Sequence, residues 1–198
     1  MSTDKKTLAF YDSKAKDYAT FALEVTEHPK LQAFMGALAP GARVLDLGCG
    51  VGWAAAGMQE AGFVVSAQDA SAGLAEQART RFGLEVRVAP FDALEARDAY
   101  GGIWCHFALQ HAPIENRGDI FARLSQALVP GGILYVGVQS DPEPWRDSIE
   151  RLYNPFSHGD LRALCAQSGL TVERIETGQG KGYDGRASEN AYLWARRG

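Results

Sequence analysis

Short apolar runs alternate with segments of helical periodicity along most of this chain, and glycines stand at the junctions. The internal runs begin near Ala42, Phe63, Leu84, Gly102 and Ile133. Strands that alternate with helices form a parallel sheet with helices on both faces. The last two apolar runs, residues 170–177 and 190–195, have no helix between them, so we expect them to pair antiparallel. The pattern predicts an α/β fold: an open, mostly parallel sheet with an antiparallel edge hairpin.

Length and composition restrict the function classes that remain. The chain has 198 residues, which fits one domain, and its net charge of −4 includes no strongly basic stretch, so no nucleic-acid partner is predicted. Its three cysteines form no CxxC or Cys/His cluster, which favours a cytoplasmic location and predicts no metal site. No apolar run approaches the roughly 18 residues of a membrane span. The N-terminal residues lead into no apolar signal-peptide region.

The segment Val44–Trp53 reads VLDLGCGVGW and carries the functional argument. Gly48, Gly50 and Gly52 follow a predicted strand directly and open a predicted helix. Glycine at such a junction lets the backbone turn tightly and lets a ligand lie against it. Asp46, inside the end of the strand, is costly unless something donates hydrogen bonds to it. A ligand with a cationic ammonium group fits such an acid.

Two other nucleotide-binding motifs fit this segment less well. The dinucleotide fingerprint GxGxxG of NAD-type oxidoreductases needs a third glycine at the position of Trp53. A bulky side chain there would crowd a pyrophosphate, and Asp46 would repel it. A phosphate-binding P-loop is excluded because no GK[ST] follows the glycines.

Two further acids end or follow predicted strands. Asp69 ends the second strand, where a nucleotide-binding α/β sheet places a carboxylate for the ribose hydroxyls. Asp92 follows the third strand, where a carboxylate can accept a hydrogen bond from an adenine amine. Structural alternatives remain open, because Asp69 could stabilise the next helix N-terminus and Asp92 could be an ordinary turn residue.

Residues 44–138 resemble the cofactor domain of class I S-adenosylmethionine-dependent methyltransferases, and residues 10–18 resemble the leading helix of the small-molecule branch. The matching features are the glycine motif Val44–Gly52, the acid Asp69, the pair Phe91-Asp92 and the segment Leu124–Gly132. The resemblance implies a Rossmann-like three-layer sandwich with seven strands in the order 3-2-1-4-5-7-6, the last one antiparallel. It also implies S-adenosyl-L-methionine as the cofactor and S-adenosyl-L-homocysteine as its product.

The same resemblance assigns roles to individual residues. It implies that Asp46 and the glycines hold the methionine portion, that Asp69 holds the ribose, and that Phe91 and Asp92 flank adenine. The candidate cofactor-binding residues are Asp46, Gly48, Cys49, Gly50, Gly52, Trp53, Asp69, Ala70, Phe91, Asp92, His106, Tyr11 and Tyr18.

Methyl transfer needs alignment and a dry site, and it needs a base only if the nucleophile loses a proton as it attacks. Tyr11, Tyr18 and Trp53 are candidates to face the sulfonium through cation–π attraction. The catalytic candidates are His106, His111 and Tyr11. Both histidines follow the fourth strand at the expected cleft, and a histidine base would titrate near pH 6–7. A structural role for each histidine remains an alternative.

We predict one methyltransferase domain over residues 1–198. It would consist of an N-terminal helical lid at residues 1–38, a cofactor-binding core at 42–138, and substrate-side elements with the edge hairpin at 139–198. Within the last part, Trp145 is a candidate pocket wall.

The predicted function is transfer of a methyl group from S-adenosylmethionine to an oxygen, nitrogen or other nucleophile of a small molecule, by in-line displacement. An NAD-type oxidoreductase and a non-catalytic S-adenosylmethionine- or S-adenosylhomocysteine-binding protein remain alternatives. We expect a cytoplasmic monomer or homodimer whose partner is a small-molecule methyl acceptor, with no membrane and no nucleic acid involved.

Overall fold

The computed structural model describes residues 3–21 and 28–198. The helices are α1 Lys5–Ser13, α2 Ala15–Phe21, α3 Pro29–Gly36, α4 Trp53–Glu60, α5 Ala72–Phe82, α6 Arg117–Ala127 and α7 His158–Gln167. The strands are β1 Arg43–Leu47, β2 Val64–Asp69, β3 Val86–Val88, β4 Tyr100–His106, β5 Leu128–Gln139, β6 Trp145–Arg146, β7 Leu152–Tyr153, β8 Leu170–Lys181 and β9 Ala187–Arg197. None of the helices in this described part is long and apolar enough to cross a membrane.

Seven strands form the central sheet, in the order β3-β2-β1-β4-β5-β9-β8. All neighbours from β3 to β5 are parallel, whereas β9 is antiparallel to both β5 and β8. The predicted order 3-2-1-4-5-7-6 with an antiparallel last strand is therefore confirmed. The short strands β6 and β7 form a separate antiparallel ribbon, which the sequence did not predict.

Side chains on the two faces of the sheet form separate hydrophobic cores. Successive residues of a strand point to opposite faces, so Val44 and Leu45 enter different cores. One core includes Phe121 of α6. In the other, Trp104 stacks on Tyr135 with ring centroids 3.9 Å apart. The helices thus cover both faces, as the alternating pattern predicted.

The edge hairpin is longer than the sequence indicated. The two apolar runs were predicted at residues 170–177 and 190–195, yet β8 continues through Gly178 and Gly180 to Lys181. A Cβ on Gly178 would lie 2.9 Å from Cε2 of Tyr192, and one on Gly180 would lie 2.7 Å from Nδ2 of Asn190. These glycines leave room for large cross-strand neighbours, which is a role of glycine within strands.

Another element boundary differs from the prediction. The segment Pro130-Gly131-Gly132 was expected to precede the fifth strand, but β5 begins at Leu128, and its pairing with β4 shifts register there. The helix that precedes this strand, α6, begins at Arg117 after a 3-10 turn at Ile114–Asn116.

Capping residues define the ends of two helices. Ser71 caps α5 by accepting a hydrogen bond from the backbone N–H of Leu74, and Gly83 ends that helix in the left-handed conformation. Ser157 and Asp160 form a reciprocal capping box at the start of α7. These caps fix where the helices begin relative to the carboxyl ends of the strands.

We predict that Gly52→Ala destabilises the protein more than Gly62→Ala. Both glycines have left-handed backbone, with φ of +82° and +89°, so both variants carry the same type of backbone strain. A Cβ on Gly52 would also lie 2.6 Å from Cδ1 of Leu84 and 2.9 Å from Cβ of Ala78, whereas a Cβ on Gly62 would meet no atom within 4 Å. Urea unfolding should show about 1–3 kcal/mol greater loss for Gly52→Ala. Equal losses would contradict close packing at this turn.

Candidate active site at the carboxyl end of the sheet

A cavity of about 390 Å³ lies where β1, β2 and β4 end. The carboxyl edge is where open α/β sheets place their ligands, and this volume is within the usual range for small-molecule sites. The predicted site residues that line it are Tyr11, Tyr18, Gly48, Cys49, Gly50, Trp53, Asp69, Ala70, Phe91, His106 and His111. Asp46, Gly52 and Asp92 do not line it.

The glycine turn after β1 is fastened to the end of β2. The backbone N–H groups of Gly48 and Cys49 donate to the carbonyl oxygen of Gln68 at 2.7 and 3.1 Å. A Cβ on Gly48 would collide with Cβ of Ala108, so only glycine allows the turn to approach the segment after β4 this closely. Gly50 has φ +55°, and its missing Cβ would meet nothing within 4 Å. The turn therefore presents bare backbone to the cavity.

The carboxylate of Asp69 accepts two backbone hydrogen bonds at the cavity wall. Its Oδ2 accepts from the N–H of Gly50 and its Oδ1 from the N–H of Ser71, both at 2.8 Å. Burial raises the pKa of Asp69. Each carboxylate oxygen can accept a further hydrogen bond, so the group can receive two neighbouring hydroxyls.

Asp46 lies behind the turn, with only 2% of its surface exposed. Its Oδ2 accepts from the N–H of Ala55 in the first turn of α4 at 3.0 Å. Burial raises the pKa of Asp46 to about 8. The first turn of α4 thus supplies the hydrogen-bond donor that a buried acid at this position requires.

His111 and Tyr11 form a hydrogen-bonded pair beside the cavity. The Nδ1 of His111 lies 2.7 Å from the carbonyl oxygen of Leu152, which can only accept, so Nδ1 carries the proton. Its Nε2 then accepts from the hydroxyl of Tyr11 at 3.1 Å. Arg151 donates from Nη1 to that same hydroxyl oxygen at 3.3 Å. Burial lowers the pKa of His111 to about 4.

Arg151 and Asp147 form a buried ion pair that the sequence analysis missed. Their side chains are 2% and 1% exposed, and Nε of Arg151 donates to Oδ2 of Asp147 at 2.8 Å. The guanidinium carbon lies 5.2 Å from the ring centroids of both Phe10 and Tyr153. In the sequence, the pair is indicated only by two opposite charges that lie four residues apart. Trp145 in the same ribbon stacks on Tyr153 and does not line the cavity.

His106 and His28 lie together at another wall of the cavity, with ring centroids 5.0 Å apart. The Nδ1 of His106 is 3.1 Å from the hydroxyl of Tyr135, and burial lowers the pKa of His106 to about 3. His28, which precedes α3, was not predicted as a site residue, because a histidine before Pro29 at the start of a helix is inconspicuous. Its Nδ1 is buried and has no hydrogen-bond partner among the described residues.

Formal charge is sparse around the cavity. Among the described residues that line it, Asp69 is the only aspartate or glutamate and Lys181 the only lysine or arginine. Across residues 3–21 and 28–198, no three His, Cys, Asp or Glu side chains are grouped so that they could hold a metal ion.

Residues 44–132 match a sequence-family model described as a methyltransferase domain. The chain contains a methyltransferase domain. This match covers the glycine turn, Asp69 and the fourth strand, and it confirms the family that the sequence resemblance indicated. No curated protein sequence matches this chain significantly.

Solved methyltransferase structures share the fold over nearly the whole chain. The 1,6-didemethyltoxoflavin-N1-methyltransferase of Burkholderia thailandensis, solved with 1,6-didemethyltoxoflavin and S-adenosylhomocysteine, has a TM-score of 0.77 and 22% identity over 97% of this chain and 87% of that chain. An S-adenosylmethionine-dependent methyltransferase of Methanosarcina mazei has a TM-score of 0.75 and 16% identity, covering 88% and 99%. Magnesium protoporphyrin IX methyltransferase of Synechocystis, with bound S-adenosylhomocysteine, has 0.73 and 18%, covering 98% and 100%. These similarities confirm the Rossmann-like methyltransferase fold.

We predict that Arg151→Met strongly destabilises this methyltransferase. The substitution leaves Asp147 buried and unpaired, which typically costs about 3–5 kcal/mol of unfolding free energy. The double variant Asp147→Asn/Arg151→Met should recover most of the loss, because Asn removes the charge and still accepts from the N–H groups of Ile149 and Arg151. Urea denaturation measures each value.

The control for this prediction is Arg79→Met, which breaks the exposed pair with Glu76. We expect no measurable change there, because exposed ion pairs contribute little. A loss at Arg151 no larger than that at Arg79 would show that the buried pair does not stabilise the fold.

Proposed function

We propose that this methyltransferase transfers a methyl group from S-adenosylmethionine to a nucleophile of a small molecule by in-line displacement, with S-adenosylhomocysteine as the second product. The observation that carries the proposal is the carboxylate of Asp69 on the wall of the cavity, next to the bare backbone of Gly50. The family match of residues 44–132 supports it, as do related folds solved with S-adenosylhomocysteine.

The residues present fit this cofactor. The open space over Gly50 accommodates a ligand against the backbone, and Asp69 can accept from both ribose hydroxyls. Phe91 lines the cavity next to Gly48 of the turn and would pack against adenine. Tyr18 and Trp53 supply aromatic faces that attract a sulfonium.

The remaining predicted cofactor residues take supporting roles in this proposal. Cys49 and Ala70 line the cavity beside the turn and the ribose carboxylate. Asp46 and Gly52 position the turn and α4 from behind, and a cation bound nearby would favour the ionised form of Asp46. Asp92 would act at the outer edge of the adenine end.

S-adenosylmethionine, when bound, supplies an electrophilic methyl group, so the protein must mainly align the acceptor and exclude water. Helix α1 can do both, because it closes over the cavity. Thr7 accepts at Oγ1 from the N–H of Leu152 at 2.8 Å, and Asp12 accepts from the hydroxyl of Ser71 at 2.7 Å. These contacts support a lid within residues 1–38, of which residues 1–2 and 22–27 lie outside the described residues.

The three catalytic candidates separate into two kinds. His111 uses both ring nitrogens within the protein, and the hydroxyl of Tyr11 donates to one of them while it accepts from Arg151. We therefore propose that Tyr11 and His111 are positioning residues that hold α1 closed. His106 is the candidate that adjoins the acceptor, because it lines the cavity and its hydrogen bond to Tyr135 is made through Nδ1. In this proposal its other ring nitrogen, Nε2, meets the acceptor.

Two alternatives are separated from this proposal by direct measurements. An NAD-type oxidoreductase would bind NAD rather than S-adenosylhomocysteine in isothermal titration calorimetry. A non-catalytic binding protein would bind S-adenosylhomocysteine but would transfer no radiolabelled methyl group to any member of a small-molecule library. Whether the enzyme is a monomer or a homodimer remains a prediction.

We predict that Asp69→Ala weakens binding of S-adenosylhomocysteine. The variant loses charge-assisted hydrogen bonds to the ribose, which corresponds to about 1.5–3 kcal/mol of binding free energy. The matched control is Asp17→Ala, an exposed acid on α2. Calorimetry should show weaker binding for Asp69→Ala alone, with circular dichroism confirming its fold. Unchanged affinity in the folded variant would remove Asp69 from the site.

We predict that His111 makes the protein less stable as the pH falls below about 6.5. The pKa of His111 is about 4 when folded, so the unfolded chain takes up the proton first. The stability that neutral His111 contributes is therefore complete above pH 6.5 and is lost toward pH 4. The unfolding free energies of wild type and His111→Asn should converge by about 1.4 kcal/mol per pH unit in that window.

The titration of Asp46 and Asp69 contributes equally to the unfolding free energies of wild type and His111→Asn, so it cancels from the difference between them. A constant difference between pH 4 and 6.5 would contradict a buried, neutral His111. The same low pKa values place any titration of His106 or His111 well below the pH 6–7 expected for an ordinary histidine base.

A further inference from the structure

Two chemically different groups of residues line the cavity, on the two sides of β1, because β2 and β4 flank that strand. On the β2 side, Asp69 and the glycine turn form a polar end suited to a nucleoside. On the β4 side, the cavity is bordered by rings from separate elements: His28 before α3, Trp53 of α4, and His106 and Phe107 at the end of β4. The ring centroid of His106 lies 5.8 Å from that of Trp53 and 4.5 Å from that of Phe107. This group of four rings is called the aromatic end below.

The imidazole of His106 is held in one orientation. It stacks on Trp104 with centroids 5.2 Å apart, and its Nδ1 contacts the hydroxyl of Tyr135. A Cβ on Gly137 would lie 2.6 Å from Nδ1 of His106, so glycine in β5 is required for the ring to lie there. A ring fixed in this way can bind a flat partner without further loss of side-chain entropy.

The aromatic end is polar but carries no formal charge of its own. Burial lowers the pKa of both His28 and His106, so both imidazoles are neutral at pH 7. Lys30, the cation nearest to them along α3, is bonded to Glu176 at 2.7 Å and lies over the ring of Tyr192. A charged acceptor would therefore lose its hydration here without gaining a partner charge from any of these four rings.

His28 brings a second imidazole to the aromatic end, with its ring centroid 5.0 Å from that of His106. A neutral imidazole has one nitrogen that donates and one that accepts a hydrogen bond, so such a ring can pair with a hydroxyl or N–H group of a ligand.

We propose that the aromatic end binds the methyl acceptor and selects an uncharged, planar aromatic or heteroaromatic compound, with His28 and His106 as its specificity-determining residues. This inference rests on the proposed function. Ring stacking favours a flat π-system over a saturated one, and the two neutral imidazoles favour a ring that carries a hydroxyl or N–H group.

The test uses the full chain saturated with S-adenosylhomocysteine and three probes of similar size. They are 2-naphthol, its saturated analogue decahydro-2-naphthol, and the anion 6-hydroxy-2-naphthoate. Calorimetry at pH 7 should show 2-naphthol binding at least about tenfold more tightly than either of the others. His28→Ala should weaken 2-naphthol by about tenfold and leave the affinity for S-adenosylhomocysteine unchanged. His158→Ala, on α7 away from the cavity lining, is the matched control and should change neither.

Failure of this inference can be distinguished from failure of the proposed function. If wild type does not bind S-adenosylhomocysteine, the proposed function is wrong. If wild type binds it but shows no preference for 2-naphthol, or no 2-naphthol binding, the acceptor class is wrong and the function stands. If His28→Ala binds 2-naphthol as tightly as wild type does, His28 does not determine specificity and the proposal is overturned.

Discussion

The hydrogen bonds between the glycine turn and the end of β2 determine where the rest of the site lies. Gln68 accepts from the turn through its backbone carbonyl, and Asp69 accepts from Gly50 through its side chain. Two successive residues of one strand therefore fix the turn of its neighbour. The start of α4 follows from that turn, and α4 in turn places Trp53 at the aromatic end. The same turn also lies close to Ala108, in the segment after β4, and a residue bulkier than glycine at position 48 would collide with it.

Much of this arrangement could be predicted because it depends on local sequence. The three alternating glycines, Asp69 at a strand end and the capping residue Ser71 are each recognisable within a few positions. The order of the strands also follows once strands and helices alternate. The aromatic end could be predicted only in part. Trp53 follows the glycine motif and His106 ends a predicted strand, so both could be found in the sequence. His28 lies beside them only because of how α3 packs, which the sequence does not indicate.

The remaining features depend on contacts between distant segments. Arg151 and Asp147 are close in sequence, but their burial depends on Phe10 and Tyr11 of α1, which lie about 140 residues away. The hairpin was predicted too short for a similar reason. Glycine favours loops in an isolated sequence, and only the bulky side chains of Asn190 and Tyr192 on the facing strand explain why glycines are suited to β8.

The electrostatic character of the cavity follows from the same burial. The cofactor that we propose carries a positive sulfonium, so a protonated imidazole beside it would repel it. The packing of His106 between Trp104, Trp53 and Phe107 lowers its pKa to about 3 and thereby keeps it neutral. Asp69 supplies hydrogen-bond acceptors on the β2 side of the cavity, where ribose hydroxyls need them. A cation can thus bind between a carboxylate and neutral aromatic rings, and the rings remain available to an uncharged acceptor.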